Sequence, residues 1–139
     1  MNWYKKASRS IAEHIRDTIK APIDIPIFIT EGYEIIDGAH RTAKAYILNK
    51  TIKSIILSQK DLDQTLLAKD SDYVGQIYRD DDKNEYSVTA LIELYGKRKP
   101  IIMNPSVILK NSEDVWGKKV DIYEIMEEAS KIMEKLSNT

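Results

Sequence analysis

An α/β fold is what this sequence predicts, and three local patterns predict it. Ser10-Ile11-Ala12-Glu13 has the spacing of a capping box, a serine N-cap with a glutamate three residues on. Ile23, Ile25, Ile27 and Ile29 alternate with other residues, which is the two-residue period of a strand. Tyr33-Glu34-Ile35-Ile36 is a second short strand, cut off by Asp37-Gly38 before a helical stretch begins. The order over residues 10–57 is therefore helix, strand, strand, helix, strand.

Each element has its own justification. In the first helix Ile11, Ile15 and Ile19 follow at four-residue spacing and define one face, and the helix should stop near Lys20, ahead of Pro22. Residues 22–30 read as a strand, and Pro26 predicts a sheet edge or an irregular entry. Glu31-Gly32 reads as a hairpin-like turn. The second helix spans residues 39–48, with Ala43, Tyr46 and Ile47 inward and Asn49 at its C-terminal cap. Residues 52–57 are a buried strand. The later chain predicts a short helix over 62–67 and a strand over 73–78. A polar loop at 79–84 follows. Ser87 then caps a helix ending at Tyr95, with Val88, Leu91 and Ile92 inside and Gly96 just past its end; a strand over 88–95 competes. Residues 100–103 and 106–109 read as short strands. Asp121-Ile122-Tyr123-Glu124 opens a last helix with Ile122, Ile125, Met126, Ala129, Ile132, Met133 and Leu136 on one stripe. That stripe reads as core first and as a homodimer helix second.

With 139 residues and 42% hydrophobic content the chain is most simply one domain with a real core, residues 1–139. Its 21 Lys and Arg nearly balance 22 Asp and Glu. A dedicated nucleic-acid binder carries a basic excess, so DNA is a disfavoured partner. No apolar run is long enough for a membrane span, and the N-terminus lacks the apolar region of a secretion signal. There is no cysteine, which excludes disulfides, thiolate catalysis and zinc–thiolate sites. Together these predict a cytoplasmic protein. Two histidines, His14 and His40, are too few for a histidine-based metal site, and a carboxylate site for magnesium stays open.

The stretch Asp37-Gly38-Ala39-His40-Arg41-Thr42 carries the functional reading. A helix N-terminus has amide groups without internal partners and a partial positive charge, so it suits a phosphate. Gly38 lets the backbone approach an anion, and Arg41 adds a permanently charged planar fork. The bland account is an Asp-Gly turn with Asp37 as the helix N-cap.

The same residues resemble the "DG-x-HR" signature of the ParB/sulfiredoxin-like superfamily, and the likeness covers residues 8–60 in the right order of elements. It implies a ParB/sulfiredoxin-like core, a small mixed sheet with flanking helices, followed by a family-specific extension over 61–139 that ends in a helix. Members hold nucleotide phosphates with this motif. They include CTP-binding partition proteins, ATP-using sulfiredoxins, free-serine kinases and ParB-like nucleases. The resemblance thus implies a nucleotide, ATP or CTP with Mg²⁺, held by Gly38, Ala39, His40, Arg41 and Thr42. It implies Arg41 as charge stabiliser, His40 as hydrogen-bond donor to phosphate, and Asp37 as turn former or magnesium ligand, these three forming the catalytic set. Ala39 stands where sulfiredoxins need cysteine, which excludes sulfinic-acid reduction. His40-Arg41 replaces the arginine pair of the partition branch, and Ser58-Gln59-Lys60-Asp61-Leu62-Asp63 lacks that branch's next motif. The expectation is a nucleotide-binding enzyme that transfers or hydrolyses a phosphate, its acceptor a small molecule. The alternatives are a non-catalytic adaptor, either switched by a nucleotide or binding a protein partner without one, and a nuclease.

Phosphoryl transfer needs a carboxylate to orient or deprotonate the acceptor. Glu13, Asp24, Glu31 and Asp61 are candidates, with Glu13 also the capping-box residue. Glu34 is three residues before Asp37, and strand alternation points the two to opposite faces, which makes Glu34 a weak partner. Asp80, Asp81 and Asp82 read as a solvated loop rather than a magnesium site. Lys97, Arg98 and Lys99 read as cations at a helix C-terminus. His14 reads as partly exposed, Trp116-Gly117 as a turn with a packed indole, and Trp3 and Tyr4 as cover for the core or a partner.

Overall fold

The computed structural model describes residues 10–138; Trp3 and Tyr4 lie outside them. Four strands form a mixed sheet in the order β2-β1-β3-β6. They are β1 (Ile27–Thr30), β2 (Ile35–Asp37), β3 (Ile52–Leu57) and β6 (Ile101–Met103). β1 runs parallel to β3, while β2 and β6 are antiparallel to their neighbours. The helices are α1 (Ile11–Lys20), α2 (Ala39–Ile47), α3 (Gln59–Asp63), α4 (Val88–Tyr95), α5 (Pro105–Lys110) and α6 (Ile122–Ser137). A separate hairpin pairs β4 (Ile77–Arg79) with β5 (Glu85–Ser87). The fold is thus mixed α/β with flanking helices and a C-terminal helix. No helix among the described residues is long and apolar enough to cross a membrane.

The sheet is covered on both faces. Ile27, Ile29, Ile35 and Ile52 meet Ala45 of α2 and Ile108 of α5 on one side. Phe28, Ile36, Ile55 and Leu57 meet Leu62, Tyr86, Val88 and Leu91 on the other. A third cluster joins Ala43 and Leu109 to Ile122 and Met126 of α6. Burying one such leucine or isoleucine contributes roughly 1.5–3 kcal/mol, so these clusters hold the layers together.

Several expectations change in detail. β1 starts at Ile27, and it is an internal strand bonded to β2 and β3, not an edge. Pro26 does make the entry irregular, because proline has no N–H to give to the sheet. Ile25 is consequently exposed. β2 begins two residues later than the alternation predicts, because Tyr33 takes a positive φ of 67° in the turn. The short helix is α3, not 62–67. Ser58 and Asp61 form a capping box that starts it early. The strand predicted over 73–78 is only β4. Residues 106–109 are helical, not extended: Asn104 caps Ser106 N and Pro105 occupies the first turn, where its missing N–H costs nothing. The helix over 88–95 holds and its strand competitor does not, with the Ser87 hydroxyl accepting from Ala90 N. On α2, Ala43 and Ala45 are inside, while Tyr46 is exposed. Ile92 of α4 is also exposed. Asn49 has the left-handed φ of 56° expected just past a helix end.

Arg98 is not a simple C-terminal cation. It donates to both Asp61 carboxylate oxygens and to Ile56 O, and lies 4.6 Å over the Tyr95 ring. It thereby ties α3, β3 and α4 together. The Arg98 guanidinium holds the Asp61 carboxyl down from an ordinary 3.8 to about 2. A carboxylate whose folded pKa is depressed stabilises the fold above its unfolded value and loses that contribution as pH falls toward the folded value. Unfolding free energy should therefore decline between about pH 4 and pH 2. Asp61→Asn should flatten that decline, as read from urea unfolding across this pH range.

Candidate functional site

The strand-to-helix turn is built by a glycine that nothing else can replace. Gly38 is the N-cap of α2 with φ 114°, a left-handed conformation, and no side chain caps the helix. A Cβ on Gly38 would lie 2.3 Å from Ile27 Cγ2 and 2.8 Å from Arg41 Nη2. The turn can therefore sit directly on β1, and its uncapped amide end opens on a cleft of about 1420 Å³. Asp37 is not the N-cap. Its Oδ2 accepts from Arg41 Nη2 at 3.1 Å and its Oδ1 from Gln76 Nε2 at 3.1 Å.

Asp37, Gly38, Ala39, His40 and Arg41 all line this cleft. Thr42 does not: it is fully buried, and its hydroxyl donates back to Gly38 O at 2.8 Å. Arg41 is mostly buried beside Asp37, and its Nε is a buried donor with no acceptor among the described residues. An unmet buried donor carries a free-energy cost of about 1–3 kcal/mol.

His40 is fixed from α1. Its Nε2 lies 3.0 Å from His14 Nδ1, so one of the two nitrogens donates and the other accepts. His14 is buried, not partly exposed. The buried centre of α1 is His14 and Thr18, while Ile11 is exposed, because α1 faces α2 and α6 together. Trp116 covers both imidazoles in parallel, with ring centroids 4.7 Å from each. Its indole also packs against the third apolar cluster, as the sequence suggests for Trp116-Gly117. The same loop closes the outer edge of β2, where Ser112 Oγ accepts from Ile35 N at 2.9 Å. Residues 14, 40 and 116 are far apart in sequence, and no spacing rule would have joined them.

Glu34 reaches the same cleft as Asp37, contrary to the alternation argument. Phe28 pairs with Asp37 but Ile29 pairs with Ile35, so β2 carries one extra residue in a bulge. One inserted residue reverses the parity, and side chains three apart come to the same side. Both carboxylates then face the β4–β5 hairpin. Tyr78 Oη donates to Glu34 Oε1 at 2.6 Å, beside the Gln76–Asp37 bond. Burial first, and then the Glu34 carboxylate, push the Tyr78 phenol above its ordinary value, so it stays protonated as a donor.

The other carboxylates are placed elsewhere. Glu13 closes its capping box with Ser10, and Asp61 belongs to Arg98. Asp24 and Glu31 do not line the cleft. Asp80 is occupied by Asp82 N, Asn84 and Tyr86 Oη, which makes it the organiser of its turn. Both Asp37 oxygens are also engaged, and no three metal-ligating side chains converge among the described residues. The donor set does not fit a resident magnesium ion. Comparison with protein-family models, curated proteins and solved structures finds no match for this chain.

Gly38→Ala should destabilise the protein by about 1–3 kcal/mol from the left-handed backbone alone, with the clash on Ile27 added. Urea unfolding of the variant against Asn49→Ala, a left-handed position at an exposed helix end, separates the clash from the backbone cost.

Proposed function

We propose that this protein binds the phosphates of a nucleotide at the N-terminus of α2, through the Gly38–Arg41 amides and the Arg41 guanidinium. The observation that carries this reading is the uncapped helix end at Gly38, opening on a large cleft beside the unmet donor of Arg41. The resemblance of residues 8–60 to the ParB/sulfiredoxin-like superfamily supports the same place and the same ligand class, ATP or CTP. Magnesium would enter as the nucleotide's own counter-ion rather than as a protein-held ion.

The residues divide the work. Backbone N–H groups meet the phosphate oxygens, and Arg41 supplies charge while Asp37 and Gln76 hold its orientation. His40, steadied by His14 and Trp116, lines the same cleft beside the phosphate position. Acidic side chains on the same cleft, Glu34 and Asp81 besides Asp37, favour a phosphoryl-transfer or hydrolytic enzyme over a passive adaptor. A nuclease reading gains nothing from the lining, where Lys20, Lys110 and Lys118 alternate with Asp17, Glu113 and Asp114.

Calorimetric titration with ATP, CTP, ADP and GTP in magnesium chloride tests the reading. One nucleotide should bind. Arg41→Ala should weaken it by about tenfold to a hundredfold, the worth of a charge-assisted hydrogen bond. No binding by the folded wild-type protein would refute the phosphate site.

A further inference from the structure

We propose that Glu34 is the proton acceptor for an oxygen nucleophile that attacks the terminal phosphate, with Tyr78 holding the carboxylate in place. This rests on the phosphate-site reading above and adds a reaction to it. The bulge in β2 turns Glu34 and Asp37 to one side, and the two carboxylates have different fates there. Asp37 spends one oxygen on Arg41 and the other on Gln76. Asp37 thus carries a hydrogen bond on each oxygen, and one of the two is an ion pair that holds Arg41 at the turn. Glu34 spends only Oε1, on Tyr78, and among the described residues its Oε2 accepts no hydrogen bond.

The hairpin sets the spacing between them. Gln76 and Tyr78 are alternate residues of an extended segment, and such residues stand about 7 Å apart on one side of the chain. Each reaches across to one carboxylate, so Glu34 and Asp37 are pinned on separate rungs instead of meeting each other. A phosphoryl group against Arg41 would leave Glu34, on the same cleft, for one oxygen nucleophile. Asp81 lines the cleft too, but from the hairpin turn rather than from the strand that leads into Gly38.

For the protein and nucleotide alone the nucleophile is water. Glu34 takes a proton from water as its oxygen bonds to the terminal phosphorus. The bond from that phosphorus to the bridging oxygen breaks, and the nucleoside diphosphate leaves with the electron pair. The proton on Glu34 then passes to solvent, and inorganic phosphate is the second product. An alcohol in place of water would give a phosphate ester by the same step.

The experiment measures nucleotide affinity and phosphate release on the same preparations of wild type, Glu34→Gln, Glu34→Asp and Tyr78→Phe, with ATP and with CTP in magnesium chloride. Wild type should release phosphate. Glu34→Gln should bind nucleotide within about twofold of wild type and lose about a hundredfold or more in turnover, the usual worth of a general base. Glu34→Asp should keep measurable turnover, and Tyr78→Phe should lose less than Glu34→Gln. Equal turnover in wild type and Glu34→Gln overturns the proposal, as does wild-type binding without phosphate release; both leave the binding site standing. Absence of nucleotide binding overturns the site itself, and the role of Glu34 with it.

Discussion

The close approach of Gly38 to Ile27 sets where α2 begins, and the cleft follows from that position. A helix whose first residue lies directly on the neighbouring strand presents its amide end at the sheet edge instead of burying it. No side chain fits between the turn and β1. The helix therefore lacks the side-chain cap that most N-termini use, and its polar end is left for solvent or a ligand. Arg41, one turn in, is drawn back over the same place by Asp37.

Around that point the walls come from distant parts of the chain. α1 supplies His14, the loop before α6 supplies Trp116 and Ser112, and the hairpin supplies Gln76 and Tyr78. Each makes a directional contact to the strand or helix flanking Gly38. A polar cleft assembled in this way is held by hydrogen bonds and ring stacking while the apolar clusters lie behind it. The imidazole pair under Trp116 is the clearest case: His14 is buried and His40 half-buried, the two rings are bonded to each other, and both are covered by an aromatic face.

Most elements of the first half were readable from local signals. Ser10 with Glu13, Asp37-Gly38 and the run from Ile52 to Leu57 depend on neighbours in the chain, and local rules describe them. Ser87 and Asp121 worked for the same reason. At 106–109 the apolar run has the look of a strand, but the Asn104-Pro105 start signal makes it a helix. The candidate site was half legible. Gly38, His40 and Arg41 were visible as a helix start. Glu34 is not legible as part of the site because alternation assumes a straight strand, and the bulge in β2 is a property of its pairing with β1.

By itself the sequence determined the order of helices and strands over residues 10–57, the place of the glycine turn and the absence of cysteine chemistry. Those depend on backbone preference, capping and periodicity, which act over a few residues. Tertiary structure alone decided which side Glu34 faces, that His14 meets His40 under Trp116, and that Gln76 and Tyr78 reach the carboxylates of β2. The hydrogen bonds among these join residues from 26 to 44 positions apart and Trp116 comes from further still, and their geometry is set by how layers pack and where a strand takes up an extra residue.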